Sequence, residues 1–129
     1  YHNTTYNVGA LYLHYDNDSG VGNGVSIMNN IFASVPETYT VVREPDWSAP
    51  LTFNLSHNWF SREPETYITS TLWTGDPMFV NAPADLRLAD NSPAIDKGAS
   101  LTPPVARDHD RAARSGDPDP GAFEAVKRP

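Results

Sequence analysis

NGVSIMNNIFAS (residues 23–34) is the stretch on which the fold turns. Val25 and Ile27 alternate with Ser26 and Met28, the period of a strand with one buried face. Asn29-Asn30 interrupts the strand, and Ile31-Phe32 restarts it at once. Moving 28 positions along brings the pattern back as FNLSHNWFS (residues 53–61). Val25, Ile27, Asn30, Ile31 and Phe32 recur as Phe53, Leu55, Asn58, Trp59 and Phe60. In the other direction, Asn3 of YHNTTYN lies 27 residues before Asn30, within a fainter copy.

A period between 20 and 50 residues indicates stacked units, each burying its face on the next. One unit parses as strands at 10–15, 24–28 and 31–33, the next at 39–43, 51–56 and 59–61, and a less regular third at 67–71, 78–80 and 86–88. Three short strands per turn predict an all-β fold, a parallel β-helix of about three coils over residues 1–89, with neighbouring coils hydrogen-bonded along the axis. The alternative is a pair of similar hairpins in an ordinary sandwich. Within the β-helix reading the double asparagine has a purpose. Asparagine tolerates the left-handed backbone region and turns the chain sharply, while inward amides stacked from coil to coil satisfy one another. Asn3, Asn30 and Asn58 are the predicted turn residues and the predicted members of that ladder.

Composition narrows the functions. The 129 residues are enough for one domain, with net charge −7 and only 9 Lys+Arg, so a continuous basic surface for nucleic acid or anionic lipid is not expected. No apolar run has the length to cross a bilayer. Without cysteine there is neither a disulfide framework nor a Cys-ligated zinc site. The chain opens on Tyr1 and shows no leader pattern, and the expectation is a piece of a longer protein.

The C-terminal third changes character. Eight of the 12 prolines lie at or beyond Pro77, where strands should end and turns accumulate. Residues 90–129 are expected to be an irregular cap over exposed strand edges. Within it Ser92-Pro93-Ala94-Ile95-Asp96 reads as a short helical turn ended by Gly98, and Ala122-Phe123 as a last short strand. DPMFVNAPADLRLADNSPAIDKGA (76–99) and RDHDRAARSGDPDPGAFE (107–124), together with YHNT and NNIF, resemble the right-handed parallel β-helix, pectate-lyase-like proteins of bacteria. The tail is similar to their end-of-helix signature, shared by polysaccharide-lyase relatives and anchored surface proteins. One departure is that Asp110-Arg111-Ala112-Ala113-Arg114 replaces the more usual Asp-Gly-x-x-Arg, which puts the local turn in question.

Several groups could carry chemistry. Asp16 and Asp18, with Asn17, Gly20 and Asn23, resemble the opening of a calcium loop, but the rest of that pattern is missing and a solvated turn is the favoured reading. Calcium is thus the one cofactor considered. Asp108, Asp110, Asp117 and Asp119 are interleaved with Arg107, Arg111 and Arg114, which favours internal salt bridges and loop hydrogen bonds over a metal. His57 takes the place of Asn29 in the repeat, just before the expected turn asparagine, and reads as a turn or stacking residue and not a ligand. If Leu11 and Leu13 point inward, Tyr12 and His14 lie on the outer face, where aromatic and polar groups suit sugar rings. Lyase chemistry needs a cation at the uronate carboxylate and a base at its α-carbon. The two lysines, Lys97 and Lys127, both fall in the cap, and no complete catalytic set is visible.

The resemblance implies an extracellular or cell-surface protein acting on or binding polysaccharide, lyase-like in activity, with its catalytic residues outside this stretch. The alternative is a non-catalytic surface, adhesion or fibre-forming protein. Expected partners are polysaccharide and, through the open first coil, N-terminal coils of the same protein or another copy.

Overall fold

Strand pairing follows the repeat almost residue for residue. A computed structural model describes residues 1–8, 11–12, 25–38, 42–43, 53–64, 69–114 and 116–125. These residues are all-β, with nine strands and no helix: β1 (Thr4–Tyr6), β2 (Leu11–Tyr12), β3 (Val25–Met28), β4 (Ile31–Ala33), β5 (Val42–Arg43), β6 (Phe53–Phe60), β7 (Thr69–Thr74), β8 (Phe79–Asn81) and β9 (Asp85–Leu88). β3 pairs in parallel with the first half of β6, Val25 on Phe53 and Ile27 on Leu55. β4 pairs with the second half, Ile31 on Trp59 and Phe32 on Phe60, and β1 extends the sheet beyond β4 with Thr4 on Ile31. β2 and β5 form a separate parallel pair, Leu11 on Val42. Equivalent residues of successive repeats therefore lie side by side, which only a parallel arrangement in register can do.

The stretch expected to form a third unit departs from this pattern. β7 lies along the other edge of β6, but the chain returns after half the period, Trp73 pairing with Trp59 and Thr74 with Phe60. β8 and β9 then pair antiparallel as a hairpin. The cause is the length of the connection. Only residues 82–84 separate the two strands, too few for the crossover that a parallel pair requires.

The sheet is buried on both faces. On one, Ile31, Ala33 and Trp59 pack with Leu88 and Ala94 from the C-terminal segment, with Tyr6, Trp73, Phe79 and Ile95 around them. Opposite, the Phe32 and Phe60 rings stack at 5.1 Å, beside Val35 and Leu72. Stacking of like residues is what parallel register produces when the repeated side chain is aromatic. Both tryptophans on the first face also tie down the segment that covers them. Trp59 Nε1 donates to the Gly75 carbonyl and Trp73 Nε1 to that of Lys97, whose ammonium sits over the Trp73 ring.

The C-terminal segment differs in detail from expectation. Residues 92–97 form a turn, not a helix: Ser92 Oγ accepts the Ala94 N–H and donates to the Pro77 carbonyl. The left-handed residue there is Asp96, at φ 58°, while Gly98 serves for close approach, since a Cβ on it would lie 2.6 Å from the Pro118 carbonyl oxygen. Ala122 and Phe123 are not in a strand. They belong to a tight polar run that crosses to the first strand, where Ala122 N–H donates to Thr4 Oγ1 and Gly121 N–H to the Asn29 carbonyl. The residue standing where the family pattern has glycine, Arg111, adopts φ 68°, so a glycine-like turn is kept without a glycine.

Candidate functional site

The double asparagine divides two tasks. His2, Asn29 and His57 occupy the same level of successive repeats and all are left-handed, at φ 54°, 58° and 56°. They turn the chain, and Asn3, Asn30 and Asn58, expected to do so, do not. The residue after each, Asn3, Asn30 or Asn58, points its amide along the stack. Asn58 Oδ1 accepts from both the N–H and the Nδ2 of Asn30, at 3.0 and 2.9 Å. Asn30 Oδ1 accepts the same pair from Asn3, at 2.9 and 3.0 Å. The spare amide protons go to main-chain carbonyls, Asn30 Nδ2 to Met28 and Asn58 Nδ2 to Ile27. Asn30 and Asn58 are buried, and the Asn30 amide makes all four of its hydrogen bonds.

Asn29 has a different duty. Its carboxamide pairs both ways with Ala99, accepting the N–H at 2.8 Å and donating to the carbonyl at 2.7 Å. The remaining amide proton faces His2 Nε2 at 3.1 Å. That nitrogen must be the acceptor, which places the His2 proton on Nδ1, 3.1 Å from the Asp119 carbonyl. Burial and the nearby Arg114 guanidinium hold the His2 imidazole down at about 4.

Around this junction two members of the tail's acidic cluster, Asp108 and Asp119, are absorbed into structure, while Asp110 and Asp117 are exposed. Asp119 is buried and takes backbone N–H groups from Asp96 and Ala125, one on each oxygen, both at 2.6 Å. Burial pushes its carboxyl up, while those two donors and Arg114 favour the ionised form that the geometry requires. Arg114 forms a buried salt bridge with Glu124 at 3.0 Å and also donates to the carbonyls of Asp119 and Gly121. Asp108 accepts the N–H groups of Ala112 and Glu124.

A cleft of about 520 Å³ opens between the ends of β1 and β4 and the loop entering β8. Tyr6, Ser34 and Ser61 line it from the sheet, and Asp76, Met78 and Phe79 from the loop. Tyr6 pairs with Ala33 in the next strand, a residue too small to cover the ring. The Tyr6 and Phe79 rings stand 6.2 Å apart, tilted by 59°. Asp76 Oδ1 accepts the Met78 N–H at 2.8 Å, and Met78, about one-third exposed, is held left-handed at φ 54°. A non-glycine residue in that region costs of order 1–3 kcal/mol and persists where its surroundings over-determine it. Among the described residues, the hydroxyls of Tyr6 and Ser34 and the Oδ2 of Asp76 have no hydrogen-bond partner in the protein. A smaller hollow of about 100 Å³ lies between His2, Leu101, Pro104 and Arg114.

Of the residues singled out from the sequence, Tyr12 lies in β2 but its side chain is outside the described residues, as are His14, Asp16, Asp18 and Lys127. Among the described residues no group of three or more His, Cys, Asp or Glu could hold a metal ion. His57 Nδ1 is buried without a hydrogen-bond partner among them. Among the described residues, no lysine, arginine or histidine lines the cleft. Asp76 and the serines lay unnoticed in the sequence, because the cleft joins the ends of three strands to a loop that no periodicity relates to them. The one usable signal was Tyr6, an aromatic residue at the level where the next repeat has Ala33.

No family model matches the chain, and no curated protein or solved structure matches it.

Proposed function

We propose that the chain is the C-terminal portion of an extracellular, right-handed parallel β-helix protein that binds polysaccharide, and that the cleft beside Tyr6 is its sugar site. The β-helix reading is supported by parallel pairing at intervals of 27 and 28 residues and by the asparagine column that runs through it. The binding reading rests on one observation. A cleft of about 520 Å³ carries an aromatic ring together with unbonded hydroxyl and carboxylate groups, the combination a sugar meets with its apolar C–H face and its hydroxyls. Lyase chemistry in the parent protein needs a cation at the uronate carboxylate, and none of the described residues lining this cleft is a lysine, arginine or histidine.

Affinity electrophoresis through gels loaded with soluble polysaccharides tests the reading. The protein is expected to be retarded by at least one polysaccharide, and Tyr6→Ala to migrate freely with its circular dichroism unchanged. Unretarded migration through acidic, neutral and amino-sugar polymers alike would sink it.

The rival is a non-catalytic, self-assembling surface protein. It is favoured by the outer edge of β1, which has no partner strand among the described residues.

A further inference from the structure

The ligand of the cleft can be narrowed by charge, and this inference rests on the sugar-site reading. We infer that the cleft takes a neutral sugar and rejects a uronate. Among the described residues, Asp76 is the only ionisable acid or base lining it apart from the Tyr6 phenol, and none of them is a Lys, Arg or His. A sugar carboxylate placed there would meet Asp76 with no cation among the described lining residues to neutralise either charge, on a chain whose net charge is already −7. Recognition of uronates works the other way, through cations that form charge-assisted bonds to the carboxylate.

The groups that are present suit sugar hydroxyls. Asp76 Oδ1 is engaged by the Met78 N–H, which fixes the carboxylate and leaves Oδ2 to accept a hydroxyl. The Tyr6 and Ser34 hydroxyls can each donate or accept, and Ser61 Oγ, which accepts the Val35 N–H at 3.3 Å, keeps its own proton to donate. Met78 and Phe79 provide the apolar wall opposite. One exposed carboxylate is also a poor anchor for a cationic sugar, since an exposed ion pair is worth little and is screened by salt. As an acceptor for a neutral ligand the same group is a fixed and directional hydrogen-bond partner.

The test is titration calorimetry of the intact chain with oligomers of a neutral hexose, of a pentose, of galacturonate and of glucosamine, at low and high salt. The expected result is binding of a neutral oligomer that salt does not change. Asp76→Asn keeps the oxygen that holds Met78 in place and should weaken that binding about tenfold, the loss of one charge-assisted hydrogen bond. A preference for galacturonate, strengthened in Asp76→Asn, would overturn the inference while leaving the sugar site intact. A preference for glucosamine oligomers that disappears in high salt would overturn it too. Absence of heat with every oligomer would remove the sugar site itself, and the inference with it.

Discussion

Replacing Asn58 tests whether the amide column holds the repeats together. Its Oδ1 is the acceptor for the Asn30 N–H, and its Nδ2 donates to the Ile27 carbonyl at 2.8 Å. Asn58 is fully buried, so water cannot replace either bond. Asn58→Ala strands one buried N–H and deprives one carbonyl of a donor, while Asn30 Nδ2 retains Met28. At about 1–3 kcal/mol for a stranded buried group, plus a small cavity, the loss should be about 3 kcal/mol. For a chain of this size that is a fall in Tm of roughly 10 °C.

Asn58→Asp separates hydrogen bonding from volume. One carboxyl oxygen can still accept from Asn30, but the other faces the Ile27 carbonyl and needs a proton to bond there. The buried carboxyl should have a folded-state pKa above its unfolded value, so the folded form holds the proton to higher pH. The variant's deficit relative to the parent therefore shrinks as pH falls and grows as pH rises through that folded pKa. Urea denaturation followed by circular dichroism, with parent and variant compared at each pH, measures both effects. An Asn58→Ala variant within about 0.5 kcal/mol of the parent would refute the reasoning. So would an Asn58→Asp deficit that is equal at acid and neutral pH.

Three further outcomes are expected. Because the His2 pKa is lowered from 6.5 to about 4, the unfolded chain binds the extra proton between those values, and stability should drop by about 3 kcal/mol as pH falls across that window. NMR titration of the imidazole locates the pKa, and loss of that pH slope in His2→Gln assigns the effect. Gly121→Ala would place a Cβ 2.6 Å from Thr4 Oγ1 and 2.8 Å from Ile31 Cδ1 at φ 90°, and should cost at least about 2 kcal/mol by thermal melting. Arg111→Gly should act in the opposite sense, gaining about 0.5–1 kcal/mol in the same assay by relieving a left-handed arginine on the surface.

What the sequence reveals of this protein is what repeats. The pairing of 25–28 with 53–56 and of 31–32 with 59–60 is the register that aligning the two apolar patterns produces, because stacking like on like leaves a periodic trace. Which of the two asparagines turns the chain leaves no such trace. Asn29 and Asn30 are chemically identical, and only the left-handed His2 and His57 at the first level reveal the division. The half-length return of β7 was hidden for another reason. Trp73 and Leu72 can face Trp59 and Asn58 from either a long or a short connection, so apolar spacing cannot choose. Least legible was the junction of the tail with the first strand. The bond from His2 to Asp119 joins residues 117 apart, and a single polar contact at that range has no period to betray it.

The amide column also has a sense of direction. Every link runs one way, with donors on the earlier repeat and the acceptor on the later. After Asn58 the position is taken by Leu72, which can neither give nor receive. At the β1 edge the series finishes on the oxygen of Asn3, which has no partner among the described residues. The stack is polarised like a row of magnets, closed at one pole and open at the other. Whatever strand joins β1 must arrive donor first. Two copies meeting face to face at that edge would set oxygen against oxygen, so the column disfavours a closed, symmetric pair and permits only addition that continues its own direction.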